Sequence, residues 1–280
     1  MTSPERLSPF PQEILDWYTG IYKESARLAQ GLGLVERIRI REIVQRFLPT
    51  PPAVVCDVGG GTGVHAFWLA GLGYEVHLMD IVPVHVEEAR RLAGQPGSPR
   101  LASIRVGDAR VLDYPSGSAD AVLLFGPLYH LTERADRLRA LTEAGRVLRP
   151  GGLLFAYAIS RYASTMVGLV RGWVWDPDYL NMVTAELTSG QHRKPADWNV
   201  ITTAYFHHPD DLRAELVEAG MQLETTVGIQ GPGWMVPDFE THLKDDERLN
   251  TIAQLARMLE GEPVLSPHFL AVARRPGVEA

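Results

Sequence analysis

The chain has 280 residues, 45% hydrophobic and 22% charged, which is the balance of an ordinary globular protein. Its formal net charge of −7 argues against a general nucleic-acid binder, because phosphate contacts need a basic face. No stretch approaches the roughly 18 apolar residues of a membrane span, the N-terminus lacks a secretory pattern, and the single cysteine excludes an internal disulfide, so we predict a cytoplasmic protein without membrane contact.

The N-terminal region is predicted to be helical. Apolar residues recur at helical spacing from Ile14 to Gln30, and a second helix is predicted from Val35 to Leu48. The prolines of the sequence PTPP at 49–52 end this helix, because proline cannot continue one. We interpret residues 1–48 as an N-terminal helical lid.

Apolar strands then alternate with amphipathic helices. The strands are predicted at 53–58, 75–80, 101–108, 119–126 and 153–160, and the helices at 63–73, 84–94 and 133–152. Continuous apolar strands separated by helices are typical of a parallel sheet covered on both faces. Residues 49–160 are therefore predicted to form the core of the domain.

The alternation stops after Ser160. Residues 161–204 are rich in tryptophan, tyrosine and methionine, have no clear period, and are too long for a simple connection. We predict an inserted substrate cap, whose aromatic side chains either wall an acceptor or form the cap's own core. Residues 205–280 are predicted to complete the core domain, with helices at 208–220 and 246–262 and strands at 223–229 and 268–275.

A glycine-rich turn follows the first predicted strand and opens the next helix. At such a turn, backbone N–H groups and a helix N-terminus can meet a ligand, and glycine lets the backbone approach closely. The dinucleotide fingerprint G-x-G-x-x-G, begun at Gly59, would need glycine where Val64 stands. The pattern present is D-x-G-x-G-x-G, over Asp57, Gly59, Gly61 and Gly63.

This pattern resembles motif I of the class I S-adenosylmethionine (SAM) dependent methyltransferases, and the resemblance continues in order along the chain. Asp80 closes the second strand, where the family places the acid that binds both ribose hydroxyls. The sequence GDAR closes the third strand, where the family sets an aspartate, here Asp108, beside the adenine amino group. Residues 114–131 and 146–156 look like the family's segments at strands four and five.

The resemblance covers about residues 50–160 and implies both a fold and a cofactor. The implied fold is α/β, a Rossmann-like, doubly wound, seven-stranded, mostly parallel sheet. The implied cofactor is SAM, without a metal. Asp57 is expected near its ammonium group, and Asp80 and Asp108 suit the hydroxyl and amino donors of its adenosine. Further cofactor contacts are expected from Ile81, Ala109 and Phe125, which suit the apolar walls of the adenine pocket, and from a tyrosine of the lid, Tyr18 or Tyr22.

Methyl transfer is an in-line displacement that depends on positioning the acceptor, and a general base helps when the acceptor carries a proton. The resemblance places active-site residues after the fourth strand, where Tyr129 and His130 stand. His130 is either a base, since its ordinary pKa lies near neutrality, or a structural residue at a helix start. Tyr129 is expected to line the pocket. His65 either contacts the ligand or packs inside the helix.

We therefore predict an enzyme that transfers a methyl group from SAM to a small-molecule acceptor. A place in secondary metabolism is suggested only by association with the aromatic cap. Two alternatives stay open: a non-catalytic SAM-binding module, because no base is unambiguous, and an NAD-type oxidoreductase, against which Val64 counts. The acceptor, the methylated atom and the oligomeric state are not determined by these patterns.

Overall fold

The computed structural model describes residues 7, 9–19, 27–196, 198 and 200–277. The strands in chain order are β1 (Val54–Val58), β2 (Glu75–Asp80), β3 (Ser103–Val106), β4 (Ala119–Leu124), β5 (Leu148–Ile159), β6 (Gln191–His192), β7 (Ala204–Tyr205), β8 (Gln222–Gly228) and β9 (His268–Arg274). The helices are α1 (Gln12–Thr19), α2 (Gly31–Phe47), α3 (Val64–Gly71), α4 (Pro83–Ala93), α5 (Pro127–His130), α6 (Arg134–Val147), α7 (Ala163–Arg171), α8 (Pro177–Ser189), α9 (Pro209–Glu218), α10 (Phe239–His242) and α11 (Asp246–Met258). Single 3-10 turns lie at Trp173–Trp175, Gly233–Met235 and Pro263–Leu265.

A seven-stranded sheet forms the centre, in the order β3-β2-β1-β4-β5-β9-β8, and β6 pairs with β7 separately. β1 to β5 pair in parallel, whereas β9 runs antiparallel to both β5 and β8. The predicted α/β class with a mostly parallel, seven-stranded sheet is confirmed. The order reverses between β1 and β4, and open α/β sheets bind ligands at such a reversal.

Helices cover both faces of the sheet, which explains the continuous apolar strands. Ile40 and Val44 of α2, with residues of α3 and α4, bury one face. Leu141 of α6 and Leu212 and Leu216 of α9 bury the other face. Because each central strand has helices above and below it, nearly every position of β1 and β4 is buried.

The lid differs from its predicted boundaries. Within the predicted helix over 14–30, α1 spans Gln12–Thr19, Arg27 is helical and residues 28–30 form a turn, while residues 20–26 lie outside the described part. α2 begins at Gly31, four residues before Val35, although glycine is a poor helix former. At Gly33 a Cβ atom would lie 2.1 Å from the carbonyl oxygen of Arg27, so tight packing requires glycine there.

One further boundary needs correction, and the structure decides between the two alternatives for the aromatic residues of 161–204. β5 begins at Leu148 rather than at Leu153, because the Pro-Gly-Gly sequence enters the sheet through a shift of register against β4. The insertion at 161–204 has helices of its own. Tyr179, Met182, Trp173 and Trp198 pack together, so these aromatic residues form the core of the insertion.

A buried ion pair joins α6 to α9. Arg137 and Glu215 are each about 2% exposed, and Nη2 of the arginine donates to Oε1 of the glutamate at 2.7 Å. His207 Nε2 lies 3.3 Å from the other carboxylate oxygen. Burial alone would raise the pKa of Glu215, but His207 and Arg137 together lower it to about 2. This pair holds two helices of one sheet face together.

We expect Glu215→Gln to reduce the free energy of unfolding by about 3–5 kcal/mol, because it leaves the Arg137 charge buried without a counter-charge. Glu218→Gln, on the same helix, removes an exposed partner of Arg134 and should change the free energy of unfolding little. Urea unfolding at pH 7 measures both. The wild-type stabilisation should decline as the pH falls from the ordinary glutamate pKa toward 2. Equal effects of the two variants would show that the pair is not structural.

Candidate active site

A cleft opens at the carboxyl ends of the parallel strands. It encloses about 1020 Å³ of empty space, part of it open to solvent. The N-terminal segment covers one side, through Phe10, Ile14, Tyr18, Arg27 and Leu28. No described residue of 161–204 lines it, so the aromatic side chains of the insertion do not form its wall.

The glycine turn after β1 forms the floor of the cleft, which Gly59, Gly60 and Gly61 line. The N–H groups of Gly59 and Gly60 donate to the carbonyl oxygen of Met79 at 2.8 and 3.2 Å, which holds the turn against β2. At Gly59 φ is 78°, and a Cβ atom would lie 2.5 Å from the carbonyl oxygen of Phe125. Glycine therefore lets the turn pass close to the end of β4.

Gly63 differs from the other glycines of the motif. It precedes α3 with φ of 93° and does not line the cleft. A Cβ atom there would lie 2.8 Å from the ring of Phe67 and 3.1 Å from Leu78. Packing of α3 on the sheet explains this glycine, and nothing in the geometry supports the cofactor contact predicted for it.

Asp57 lies beneath the turn, fully buried yet part of the cleft lining. Neither carboxyl oxygen has a hydrogen-bond partner among the described residues. Burial raises the pKa of Asp57 to about 7; the charge of Asp80 adds to the rise, and the backbone of Ala66 offsets part of it. A buried carboxyl without a partner is unfavourable, so a cation bound beside it would be stabilised.

Asp80 ends β2 and ties the glycine turn to that strand. Its Oδ2 atom accepts the N–H of Gly61 and its Oδ1 atom accepts the N–H of Val82, each at 2.8 Å. His85 Nδ1 lies 3.4 Å from Oδ1. A carboxylate offers about four lone-pair positions, so this one retains capacity for hydroxyl groups of a ligand.

Asp108 follows β3 and is held by Arg110. The arginine donates from Nη2 to Oδ2 of Asp108 at 2.7 Å and from Nη1 to Asp136 at 2.8 Å. Asp108 still lines the cleft, with 25% of its side chain exposed. Arg110 thus orients the carboxylate that the sequence predicts beside an adenine ring.

Apolar side chains complete this end of the cleft. Ile81, Ala109 and Phe125 all line it, as predicted from their positions after β2, β3 and β4. The last two are buried, and the ring of Phe125 contacts that of His65 edge-on, with centroids 5.5 Å apart. These surfaces suit a planar ring held between apolar walls.

His130 ends α5 on the cleft wall, where it meets the lid. The hydroxyl of Tyr18 lies 2.7 Å from its Nε2 atom. Burial lowers the pKa of His130 to about 4, against smaller opposing effects of the Thr203 backbone and of Asp80. The ring is therefore neutral at pH 7 and a weak base, which disfavours the prediction of an efficient general base.

Tyr22, the other lid tyrosine predicted to contact the cofactor, lies outside the described residues.

Tyr129 lies beside His130, with ring centroids 4.5 Å apart, and its side chain lines the cleft as predicted. The ring centroid of Tyr157, on β5, lies 6.0 Å from that of Tyr129. The hydroxyl group of Tyr157 donates a hydrogen bond to Glu36 Oε1 at 3.1 Å. Arg27 binds Glu36 through two hydrogen bonds of 2.7 and 2.8 Å. Burial would raise the pKa of Glu36, but Arg27 and its neighbours lower it to about 2. A charged pair therefore closes this end of the cleft.

The structure brings most of the predicted residues together. Those that line the cleft are Asp57, Gly59, Gly61, Asp80, Ile81, Asp108, Ala109, Phe125, Tyr129 and His130. Sequence reasoning missed Glu36, His85 and Tyr157. Tyr157 had a usable signal, since it stands near the carboxyl end of a strand. Glu36 and His85 lie inside helices, where a single polar residue usually indicates a solvated face.

The described residues include no group of three or more histidine, cysteine, aspartate or glutamate side chains arranged to hold a metal. Absence of a metal stays a prediction.

Within the same residues, no helix has the length and hydropathy needed to cross a membrane. Cys56 is buried, and burial raises the pKa of its thiol to about 12, so it is not a nucleophile.

Comparison with known proteins agrees with this geometry. Residues 56–156 match the model of a methyltransferase domain. A ubiquinone/menaquinone biosynthesis C-methyltransferase of Acidiphilium cryptum is 33% identical over 151 residues, which are 54% of this chain and 59% of that protein. A ubiquinone biosynthesis O-methyltransferase of Methylocella silvestris is 34% identical over 187 residues, which are 61% of this chain and 71% of that protein.

Two further similarities involve a protein named for tRNA methylation and a solved structure. A mouse protein named probable tRNA methyltransferase 9B is 31% identical over 139 residues, which are 49% of this chain and 28% of that protein. The prediction that nucleic acid is excluded is therefore not confirmed. The crystal structure of a SAM-dependent methyltransferase from Methanosarcina mazei has the same fold, with a TM-score of 0.60 at 17% identity, over 84% of this chain and 97% of that one.

These matches fall on the elements that build the cleft. The family model begins in β1, just before the glycine turn, and ends in β5, so it includes Asp57, Asp80 and Asp108. The NAD-type alternative has no support from any of these comparisons. The chain belongs to the class I SAM-dependent methyltransferase family, and SAM is its cofactor.

Proposed function

We propose that this protein is an enzyme that transfers the methyl group of SAM to a small-molecule acceptor bound in the same cleft. The observation that carries the proposal is the buried Asp57 carboxyl without a hydrogen-bond partner, in the floor of a cleft that also presents Asp80 and Asp108. A cofactor with a cationic end, two hydroxyls and an amino donor matches these three acceptors.

The cofactor-binding residues have distinct proposed roles. SAM supplies an electrophilic methyl group on its sulfonium sulfur. Asp57 provides negative charge for the ammonium end, Asp80 accepts from the ribose hydroxyls, and Asp108 accepts from the adenine amino group. Gly59 and Gly61 keep the floor free of side chains, while the apolar walls Ile81, Ala109 and Phe125 exclude water from the ring.

The acceptor is proposed to lie over the ends of β4 and β5. There the lining is aromatic and apolar, through Tyr129, Tyr157, Leu28 and Ile40. Such a surface suits a compact, largely apolar metabolite better than a phosphate backbone, in keeping with the net charge of −7. The names of the two ubiquinone-pathway relatives place them in the biosynthesis of a small molecule, which favours the same acceptor class and a biosynthetic role.

Positioning supplies most of the proposed catalysis. Tyr129 contacts the acceptor, and the Tyr18–His130 hydrogen bond fixes the lid over the cleft. Residues 1–48 thus act as a lid that orders the site. The described part of residues 161–204 is not assigned an acceptor contact, since none of it lines the cleft. The lone buried Cys56 fits a cytoplasmic location, which stays part of the proposal.

Two measurements test the activity. Calorimetry should show binding of S-adenosylhomocysteine (SAH), the demethylated product, and incubation with methyl-labelled SAM and fractionated metabolites should label a small molecule. Binding of SAH without labelling of any fraction would favour a non-catalytic SAM-binding module. Failure to bind SAH would remove the basis of the proposal. Labelled RNA in place of a small molecule would contradict the acceptor class.

We expect SAH binding near pH 7 to release a proton from Asp57. Its carboxyl has a pKa raised to about 7, and a cation bound beside it lowers that pKa. Affinity should therefore rise as the pH rises through 7. Calorimetry in buffers of different ionisation enthalpy measures the proton released. Asp57→Asn should abolish the release, whereas Asp113→Asn, at an exposed position away from the cleft, should retain it. Proton release that survives Asp57→Asn would contradict the role of this residue.

We expect His130→Gln to lower turnover about tenfold or more while SAH affinity stays nearly constant. The reason is that the neutral His130 ring acts by positioning groups in the site and not by gaining or losing a proton. The wild-type turnover should show no ionisation of His130 between pH 5.5 and 8, since burial holds its pKa at about 4. Tyr18→Phe should have the same effect, because it removes the same hydrogen bond. A pH–rate inflection near neutrality that disappears in His130→Gln would instead identify a general base.

A further inference from the structure

Glu36 is a buried carboxylate of α2 at the wall of the cleft. Its side chain is 2% exposed and lines the cleft together with Arg27 and Tyr157. Burial by itself would raise the pKa of Glu36, but the charge and the hydrogen bonds of Arg27, helped by His268 and Tyr157, lower it to about 2. The group is therefore ionised at pH 7, and an ionised carboxylate accepts hydrogen bonds but cannot donate one.

Four hydrogen bonds occupy the two oxygens of Glu36. Arg27 donates from Nη1 to Oε2 at 2.7 Å and from Nη2 to Oε1 at 2.8 Å. The Tyr157 hydroxyl donates to Oε1 at 3.1 Å, and the side-chain amide of Gln230 donates to Oε2 at 3.1 Å. A carboxylate offers about four lone-pair positions, and these contacts fill them. Glu36 therefore acts on a ligand through its neighbours and not by direct contact.

The residues behind Gln230 give the network a single direction of donation. The Ser266 hydroxyl oxygen accepts the N–H groups of residues 229–231, so its own hydrogen goes to Oε1 of Gln230, at 3.2 Å. The Nε2 atom of Gln230 is then the donor toward Glu36, and it also lies 2.6 Å from Nδ1 of His268. Burial lowers the pKa of His268 to about 4, so its ring is neutral and Nδ1 can accept. All of these donors lead toward acceptors that end at the Glu36 carboxylate.

Tyr157 has its only hydroxyl hydrogen committed to Glu36. A tyrosine hydroxyl has one hydrogen to donate and two lone pairs that can accept. Because Glu36 can only accept, the hydrogen points toward the carboxylate, and the other side of the oxygen presents lone pairs. The Tyr157 ring stacks on His268, with centroids 5.3 Å apart and planes inclined by 27°, which holds this orientation. At the wall of the cleft, Tyr157 can thus accept a hydrogen bond from a ligand but cannot donate one.

We propose that Tyr157 recognises a hydrogen-bond donor on the acceptor, so that the acceptor molecule carries a hydroxyl or an amine group. The inference rests on the proposed function, because it names the class of acceptor for the same cleft. Glu36 is the positioning residue, since it fixes the direction of the Tyr157 hydroxyl. An ether or a tertiary amine at this place has no hydrogen to donate, so its lone pair would face the lone pairs of Tyr157. A site built to pair with a donor rejects an analogue that lacks it.

Pairs of aromatic ligands that differ in this hydrogen test the preference. Phenol and anisole form the oxygen pair, and aniline and N,N-dimethylaniline form the nitrogen pair. Calorimetry with the SAH-saturated protein gives the ratio of the two affinities within each pair. We expect Tyr157→Phe to lower the ratio of donor to non-donor affinity about threefold to tenfold, the scale of one hydrogen bond, in one pair or both. Because each ratio compares two ligands in the same variant, a general weakening of the site cancels.

Tyr74→Phe is the matched control. It removes the hydroxyl of a tyrosine that donates to the carbonyl oxygen of Pro49 at 2.8 Å and does not line the cleft. It should leave both ratios at the wild-type values. Glu36→Gln replaces an oxygen that can only accept by an amide that can also donate, so it should lower the same ratio as Tyr157→Phe. Thermal unfolding shows which variants retain the fold, and Tyr157→Phe carries the test if Glu36→Gln does not.

The outcomes identify the donor group and separate the two proposals. A lower ratio for the phenol pair identifies a hydroxyl, and a lower ratio for the aniline pair identifies an amine. Ratios that stay unchanged in Tyr157→Phe would overturn the inference, and so would ratios that rise, because Tyr157 would then donate to the acceptor. Absence of binding by all four ligands to the SAH-saturated wild-type protein would also overturn it. Failure of the wild-type protein to bind SAH would instead refute the proposed function.

Discussion

The hydrogen bond from the Gly61 backbone to the Asp80 carboxylate is the contact on which the site depends. It ties the turn after β1 to the end of β2, and so places one buried acid, Asp57, beneath the turn and a second, Asp80, beside it. The charge of Asp80 contributes to the raised pKa of Asp57. Burial is the larger cause of that raised pKa, so the contact that shapes the floor of the cleft adds to an effect that burial begins.

Charge is distributed unevenly along the cleft. Asp57, Asp80 and Asp108 lie at the ends of the first three strands, and of these three only Asp108 has an arginine partner among the residues that the structure describes. A ligand with a cationic group beside Asp57, and with hydroxyl and amino donors beside the other two acids, satisfies all three. Before such a ligand binds, the buried Asp57 carboxyl lowers the stability of the protein, as is common where function needs unpaired groups.

The lid and the insertion contribute differently to the site. Side chains around α1 and α2 cover the cleft, and the Tyr18–His130 hydrogen bond attaches this cover to the core. The insertion instead packs Tyr179, Trp173 and Trp198 against one another. Aromatic content alone did not distinguish these uses, because a ring packed in a small core and a ring facing a ligand have the same composition.

The sequence by itself determined the fold class, the cofactor turn and the acids that follow β1, β2 and β3. Those features are local: strand periodicity, glycine spacing and position at a strand end are all readable along the chain. Tertiary structure alone decided which residues face the cleft. It removed Gly63 from the lining, added Glu36 and Tyr157, and left the carboxyl oxygens of Asp57 without hydrogen-bond partners among the described residues. It also lowered the pKa of His130 through burial, which depends on elements far apart in the chain.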